Sequence, residues 1–300
     1  MKILLLGANG QVGSELRRSL APLGKLVCAT RSGLLPDGAT CEVADFDRPA
    51  AVEALIEHVG ADVVVNAAAY TAVDRAEDDA DAAWRANAET PRLIAQACAA
   101  RGALLVHYST DYVFDGTATR PYREDDPTSP LGVYGASKLA GEQAIQSSGT
   151  RHMIFRTAWV YAAHGKNFLQ TMLRLAQERD ELRVVADQVG TPTPASLIAD
   201  VTAAALQSPV SASVSGLWHL TPAGSTSWHG FADAIIRQAR RTGLLAKPVD
   251  VIPITTRDYP TRARRPAYSC LDVSRLKSDF AVDMLDWHEY LPDVMRRESE

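Results

Sequence analysis

This sequence has no basic tail and no long run of one charge sign. Its 31 Lys and Arg stand against 36 Asp and Glu, for a formal net charge of −5. Proteins that hold nucleic acid or an anionic membrane surface concentrate positive charge, so neither partner is expected. No apolar run approaches the roughly 20 residues that cross a bilayer. The opening Met1–Leu6 stretch is apolar but stops at Gly7, too short for a secretory core. Cysteine is scarce. Cys28, Cys41, Cys98 and Cys270 form no C-x-x-C pair and no metal-ligand spacing. Reduced thiols in a cytoplasmic protein are the expectation. His58, His107, His152, His164, His219, His229 and His288 are scattered without ligand spacing, and structural roles are expected for all of them. Repeats and low-complexity segments are absent.

What is present is an alternation of short apolar runs and helical stretches over 300 residues, enough for one large domain or two smaller ones. Lys2 to Leu6 reads as a buried parallel strand. It runs into Gly7-Ala8-Asn9-Gly10-Gln11-Val12-Gly13, and a helical stretch follows from Ser14 to Leu23. Strand, glycine turn and helix in this order suit a dinucleotide, because glycines let the backbone approach a pyrophosphate at the helix N-terminus. The spacing is G-x-x-G-x-x-G, so the argument rests on its place at the first strand.

The next strand ends carry further candidates. Leu26 to Thr30 reads as a second strand followed by Arg31, where an arginine favours the 2′-phosphate of NADP; a surface arginine is the bland alternative. Cys41 to Ala44 reads as a third strand ending at Asp45-Phe46-Asp47, where an acid can bind the adenine edge or simply cap the helix Pro49 to Val59. Asp62 to Asn66 is a fourth strand. After it, Ala67, Ala68, Ala69 and Tyr70 leave room for a flat ligand, or else for close helix packing. Asn87, in a helix expected from about Trp84 to Arg101, is a candidate buried polar strut or an exposed polar residue.

Leu104 to Tyr108 ends at Ser109-Thr110-Asp111, where open parallel sheets bind ligands and a hydroxyl can meet a substrate carbonyl. A plain polar turn would look the same. Tyr134 and Lys138, four residues apart, share one helix face. Ser129-Pro130 suggests where that helix starts. An ammonium beside a phenol lowers the phenol's pKa and suits it to proton transfer near neutral pH. Most such pairs are only solvated surface.

Taken together, the glycine turn, the Ser109-Thr110-Asp111-Tyr112-Val113-Phe114-Asp115-Gly116 strand end and Tyr134-Gly135-Ala136-Ser137-Lys138 resemble the extended short-chain dehydrogenase/reductase superfamily. Asp187-Gln188, Gly190-Thr191-Pro192-Thr193, Arg265-Pro266 and Leu271-Asp272 narrow the resemblance to its dTDP-4-dehydrorhamnose reductase family, from residue 1 to about 290. The resemblance implies an α/β fold, a Rossmann-type doubly wound parallel sheet with a smaller mixed α/β substrate domain. It implies reduction of a dTDP-4-keto sugar by NADPH, with NADH as an alternative donor. Tyr134 would be the general acid, Lys138 would bind the nicotinamide ribose and tune Tyr134, and Thr110 would polarise the ketone. Asp111 and Trp159 match substrate-contacting positions. Some members of the family hold magnesium between glutamates at a dimer interface. Glu15 matches one such position, but partners for it are not evident, so no metal is expected. Rival readings are another nucleotide-sugar ketoreductase or epimerase, and a non-catalytic regulatory subunit like that of methionine adenosyltransferase.

Residues 1–160 are expected to form the NADP-binding domain, rejoined by a helix near 196–207. Residues 161–300 are expected to be mainly substrate-binding and to include a strand at Gly216 to Leu220. Arg257, Arg262, Arg264 and Arg265 lie in a proline-bearing stretch. One of them, Arg265 for choice, is a candidate clamp for a diphosphate; a solvated loop is the alternative. The chain is read as a monomer or homodimer.

Overall fold

The computed structural model describes residues 1–208 and 215–298. In the first half, β1 (Lys2–Leu6), β2 (Lys25–Thr30), β3 (Glu42–Val43), β4 (Val63–Asn66), β5 (Leu104–Thr110) and β6 (His152–Thr157) alternate with helices. These are α1 (Gln11–Leu20), α2 (Pro49–Val59), the short α3 (Val73–Ala76) and α4 (Ala80–Trp84), α5 (Thr90–Arg101) and α6 (Val133–Ser147). The second half adds β7 (Val160–Tyr161), α7 (Phe168–Glu178), β8 (Glu181–Val185), β9 (Val189–Gly190), β10 (Thr193–Pro194) and α8 (Ala195–Gln207). Then come β11 (Gly216–His219), β12 (Thr226–Ser227), α9 (Trp228–Arg241), β13 (Asp250–Ile254), α10 (Ser274–Phe280) and α11 (Trp287–Glu298).

One seven-stranded sheet has the order β11-β6-β5-β4-β1-β2-β3. Every neighbouring pair in it is parallel. Its strands are continuous apolar runs because helices cover both faces. Alternate residues of β1 divide accordingly. Ile3 and Leu5 join Leu16, Leu20, Ile198 and Val201 of α1 and α8, while Leu4 and Leu6 join Val52, Ile56, Ile94 and Cys98 of α2 and α5. Fully burying one such side chain contributes about 1.5–3 kcal/mol. The order 3-2-1-4-5-6 within this sheet reverses between β1 and β4, and ligands of open α/β sheets bind at that switch point.

The second half is not a separate layer throughout. The strand expected beyond the first domain, β11, pairs with β6 and extends the main sheet, Leu217 lying opposite Ile154. Beside it, α10 sends Leu276 and Phe280 into the same core as Trp218. A third core, with Leu169, Met172, Leu182, Phe231, Ile235, Trp287 and Met295, joins α7, β8, α9 and α11. Among the described residues it is served by the short ladders β7–β10, β9–β12 and β8–β13.

Two local expectations are corrected. The Tyr134 helix does not start at Ser129-Pro130. The Ser129 N–H donates to Val113 O at 2.8 Å, which ties the segment to the β5 turn. The helix starts after Gly132, and the Glu77 carboxylate caps it by accepting from the Val133 N–H at 2.9 Å. The helix expected over Trp84 to Arg101 is interrupted by a π-type turn at Arg85–Glu89. All four cysteines are free thiols, two of them buried. Among the described residues no helix is long and apolar enough to cross a membrane.

Candidate active site

The sequence dictates the cleft floor at the end of β1. Gly7 takes φ +79°, a left-handed turn closed by Gly10 N–H donating to Gly7 O at 3.0 Å. A Cβ on Gly13 would lie 2.0 Å from Gly7 O, so only glycine lets α1 start this close to the strand. The N-cap is Gly10, with no capping side chain and no acid in the first turn. The first N–H groups of α1 are therefore left for an anion at the positive end of the helix. This is the cradle a dinucleotide pyrophosphate requires, and the residues fit it.

From there a cleft of about 920 Å³ runs along the carboxyl ends of the strands. Gly7, Asn9, Gly10, Gln11, Val12, Arg31, Phe46, Ala67, Ala68, Ala69 and Tyr70 line it, as do Thr110, Asp111, Tyr134, Lys138, Trp159 and Arg265. Two of the expected cofactor residues do not line it. Gly13 is buried behind the turn, where it permits the packing just described. Asp45 stands beside Arg31, 3.6 Å from its Nε.

The reactive end is built by β5 and α6. A Cβ on Gly135 would lie 2.2 Å from Tyr112 O, so this glycine lets α6 lie against the turn after β5. That contact brings Tyr134 to Thr110, whose hydroxyl lies close enough to the phenol to act on its pKa. Thr110 also donates to Asp111 Oδ1 at 3.1 Å and accepts from the Tyr112 N–H at 3.2 Å. The Tyr112 ring meets Tyr134 edge-on at 5.6 Å.

Burial pushes the Tyr134 phenol up to about 12; the Thr110 hydroxyl works against it and the Asp111 charge with it. This corrects the expectation that Lys138 pulls the phenol down. The Lys138 Nζ donates to Tyr108 O at 2.6 Å and lies 3.3 Å from His107 Nε2. Sharing a helix face does not fix where the end of a long side chain points. A phenol so raised stays protonated near neutral pH and is equipped to donate. Burial brings Lys138 down to about 8, with Glu142 opposing. Burial likewise lifts Asp111 to about 6, against hydrogen bonds from Ser269 and Thr110.

Among solved structures, the chain matches a dTDP-4-dehydrorhamnose reductase from Bacillus anthracis in complex with NADP, with a TM-score of 0.88, 33% identity and 99% of each chain covered. Among curated proteins, the dTDP-4-dehydrorhamnose reductase of Burkholderia thailandensis is 52% identical over 294 residues, covering 96% of this chain and 95% of the relative. That of Escherichia coli K12 is 45% identical over 290 residues, covering 96% and 94%. The family model described as "RmlD substrate binding domain" matches residues 1–299. The chain belongs to the dTDP-4-dehydrorhamnose reductase family.

In this reductase-family chain several cleft residues escaped sequence reasoning. Trp228, the first residue of α9, stacks on Trp159 with centroids 3.5 Å apart and planes at 6°. Trp159 itself is held at φ +47°, a backbone strain that two-sided packing against Trp228 and Gly190 sustains. Lys166 also lines the cleft, as an exposed cation with no local pattern to mark it. Asp74, on α3, accepts from Arg265 at 2.7 Å, which aims that arginine into the cleft. Of the other arginines in that stretch, Arg262 pairs with Asp78. His107, expected to be structural, touches Lys138. The one signal for it was its place in an otherwise apolar strand.

The expectation for Asn87 as a buried strut holds. It is fully buried in the π-type turn, a feature common near functional sites. Its side chain accepts from Tyr70 N–H at 2.9 Å and donates to Tyr70 O at 3.0 Å and to Ser137 Oγ at 3.1 Å. It thus ties the loop after β4 to the helix of Tyr134 and Lys138. Among the described residues no group of three or more His, Cys, Asp and Glu side chains gathers as a metal site.

Proposed function

We propose that the protein reduces the C4 ketone of dTDP-4-dehydro-L-rhamnose to the alcohol of dTDP-L-rhamnose, with NADPH as donor and NADH as an alternative. The observation that carries this is the pairing of Thr110 and Tyr134 hydroxyls in the same cleft as the uncapped start of α1. The names of the relatives supply the sugar. The reduced nicotinamide supplies the hydride when bound.

The protein's own groups do the rest. The N–H groups that open α1 bind the pyrophosphate, with Gly7, Asn9, Gly10, Gln11, Val12 and Gly13 forming the turn. Arg31 answers the 2′-phosphate, held near Asp45, while Phe46 and the Ala67–Tyr70 loop flank the flat parts of the cofactor. Lys138 holds the nicotinamide ribose. Thr110 and Tyr134 hydrogen-bond the ketone oxygen and stabilise the charge that grows there. Tyr134 then breaks its O–H bond and gives that proton to the oxygen. Asp111, Trp159 and Arg265 receive the sugar nucleotide. Arg265 keeps its buried Nε–H without a partner among the described residues, and this donor remains for the diphosphate. In this reading residues 1–160 serve the cofactor, residues 161–300 mainly the substrate, and the reaction is a cytoplasmic step in making surface polysaccharide.

The test is NADPH oxidation with the 4-keto nucleotide sugar, generated in place from dTDP-glucose by the preceding enzymes. Consumption of NADPH with formation of dTDP-rhamnose is expected. A protein that carries bound NAD, interconverts sugars and consumes no NADPH would instead be an epimerase.

A further inference from the structure

Asn66, at the end of β4, has its amide oriented by its own turn. The Ala68 N–H donates to Asn66 Oδ1 at 3.2 Å, so the carbonyl side of the amide is assigned. The other side, Nδ2, faces His107 Nδ1 at 3.1 Å. An amide NH₂ only donates, so Nδ1 must accept, and the neutral ring carries its proton on Nε2. His107 is fully buried, and burial and the nearby Lys138 both hold it neutral. Its Nε2–H is therefore directed at Lys138 Nζ, 3.3 Å away. An ammonium has three donors and no acceptor, whereas a neutral amine has a lone pair. This contact is a hydrogen bond only with the amine, which can still donate to Tyr108 O.

We propose that His107, locked by Asn66 in its Nε2–H form, is a positioning residue that stabilises the neutral amine of Lys138 in the cofactor-free cleft, so that cofactor binding draws a proton onto the lysine. The other groups acting on Lys138 are Glu142 on its own helix and the Tyr108 carbonyl on β5. Glu142 favours the ammonium, but its carboxylate is already gripped from β6 by Arg156, through bonds of 2.9 and 2.7 Å. Burial opposes the charge, and on β5 the Nε2–H of His107 adds to that opposition. A bound dinucleotide brings phosphate charge into the cleft and favours the ammonium. The proton comes from solvent. The proposal rests on reading the cleft as an NADPH site.

Calorimetry of NADPH binding at pH 8.5, in two buffers of different ionisation enthalpy, counts the protons taken up. Wild type is expected to take up a clear fraction of one proton. His107→Phe removes the N–H and should lower that uptake, because burial alone then opposes the charge on the lysine. The alkaline limb of kcat/KM should also move up by about half a pH unit or more. Asn66→Asp is the second variant. A carboxylate accepts from Nδ1–H, turns Nε2 into an acceptor and should shift the limb the same way while the imidazole stays in place. Unchanged uptake and an unchanged limb in whichever of the two variants folds and binds NADPH would overturn the proposal. No NADPH binding by wild type would instead sink the reading of the cleft.

Discussion

The indoles of Trp159 and Trp228 lie parallel, with centroids 3.5 Å apart and 6° between their planes. Trp159 follows β6 and Trp228 opens α9, so the stack joins the main sheet to the smaller half across the cleft. It also presents Trp159 in one orientation, against its backbone strain. An aromatic pair is worth about 0.5–1.5 kcal/mol beyond its buried area. Trp228→Ala should therefore raise KM for the nucleotide sugar by roughly 2- to 10-fold and leave kcat within about 2-fold. Steady-state kinetics decide it. A loss in kcat alone would mean that the stack serves the chemistry rather than the substrate's place.

Tyr134 is predicted to donate the proton, and Tyr134→Phe removes only its hydroxyl. Turnover should fall by about 10²- to 10⁴-fold, the usual contribution of a positioned acid. NADPH affinity, measured by fluorescence titration, should change less than about 2-fold, because the phenol is assigned to the ketone. Thr110→Val should also lower kcat, by less, since one of two hydrogen bonds to the growing charge is lost.

Arg31 has an exposed side chain that lies 3.6 Å from Asp45 Oδ1 at the mouth of the cleft. Such an arginine can swing onto a 2′-phosphate without breaking a buried contact. A charge-assisted hydrogen bond contributes about 1.5–3 kcal/mol. Arg31→Ala should weaken NADPH by about 10-fold or more and NADH by less than about 2-fold. Equal losses in the two dissociation constants would remove the argument for NADP preference.

The sequence carried the glycine turn, the strand ends and Thr110 because each is a local pattern: a run of apolar residues, then a turn with particular chemistry. It did not carry which strands become neighbours. A strand buried on both faces reads the same wherever it lies, so β11 gave no sign that it would join β6 rather than a second domain. Nor did it carry contacts made from a distance. Glu77 caps α6 from 56 residues away, which is why Ser129-Pro130 misled as a helix start. Helical spacing put Tyr134 and Lys138 on one face, but the Tyr108 carbonyl and His107 decided where the end of the lysine side chain went. The Trp159 stack likewise depends on how α9 is docked.

Asp111 is buried among groups that only partly compensate its charge, and its Oδ2 has no partner among the described residues. Its folded-state carboxyl is raised to about 6 from an ordinary 3.8. A group raised in this way favours folding only while it is protonated. Its penalty is absent below about pH 4, grows as pH rises to about 6, and is complete above that. A shift of about two units corresponds to roughly 2–3 kcal/mol. Asp111→Asn keeps the shape and removes the charge. The variant should be more stable than wild type by up to that amount at pH 7 in urea unfolding, and the difference should vanish near pH 4. The same change should raise KM for the nucleotide sugar, because the free carboxylate oxygen is assigned to the substrate. A variant that is less stable at pH 7 would mean the carboxylate is better solvated in the cleft than its burial implies. Stability gained together with affinity lost would mark Asp111 as a residue kept for binding at a cost to the fold.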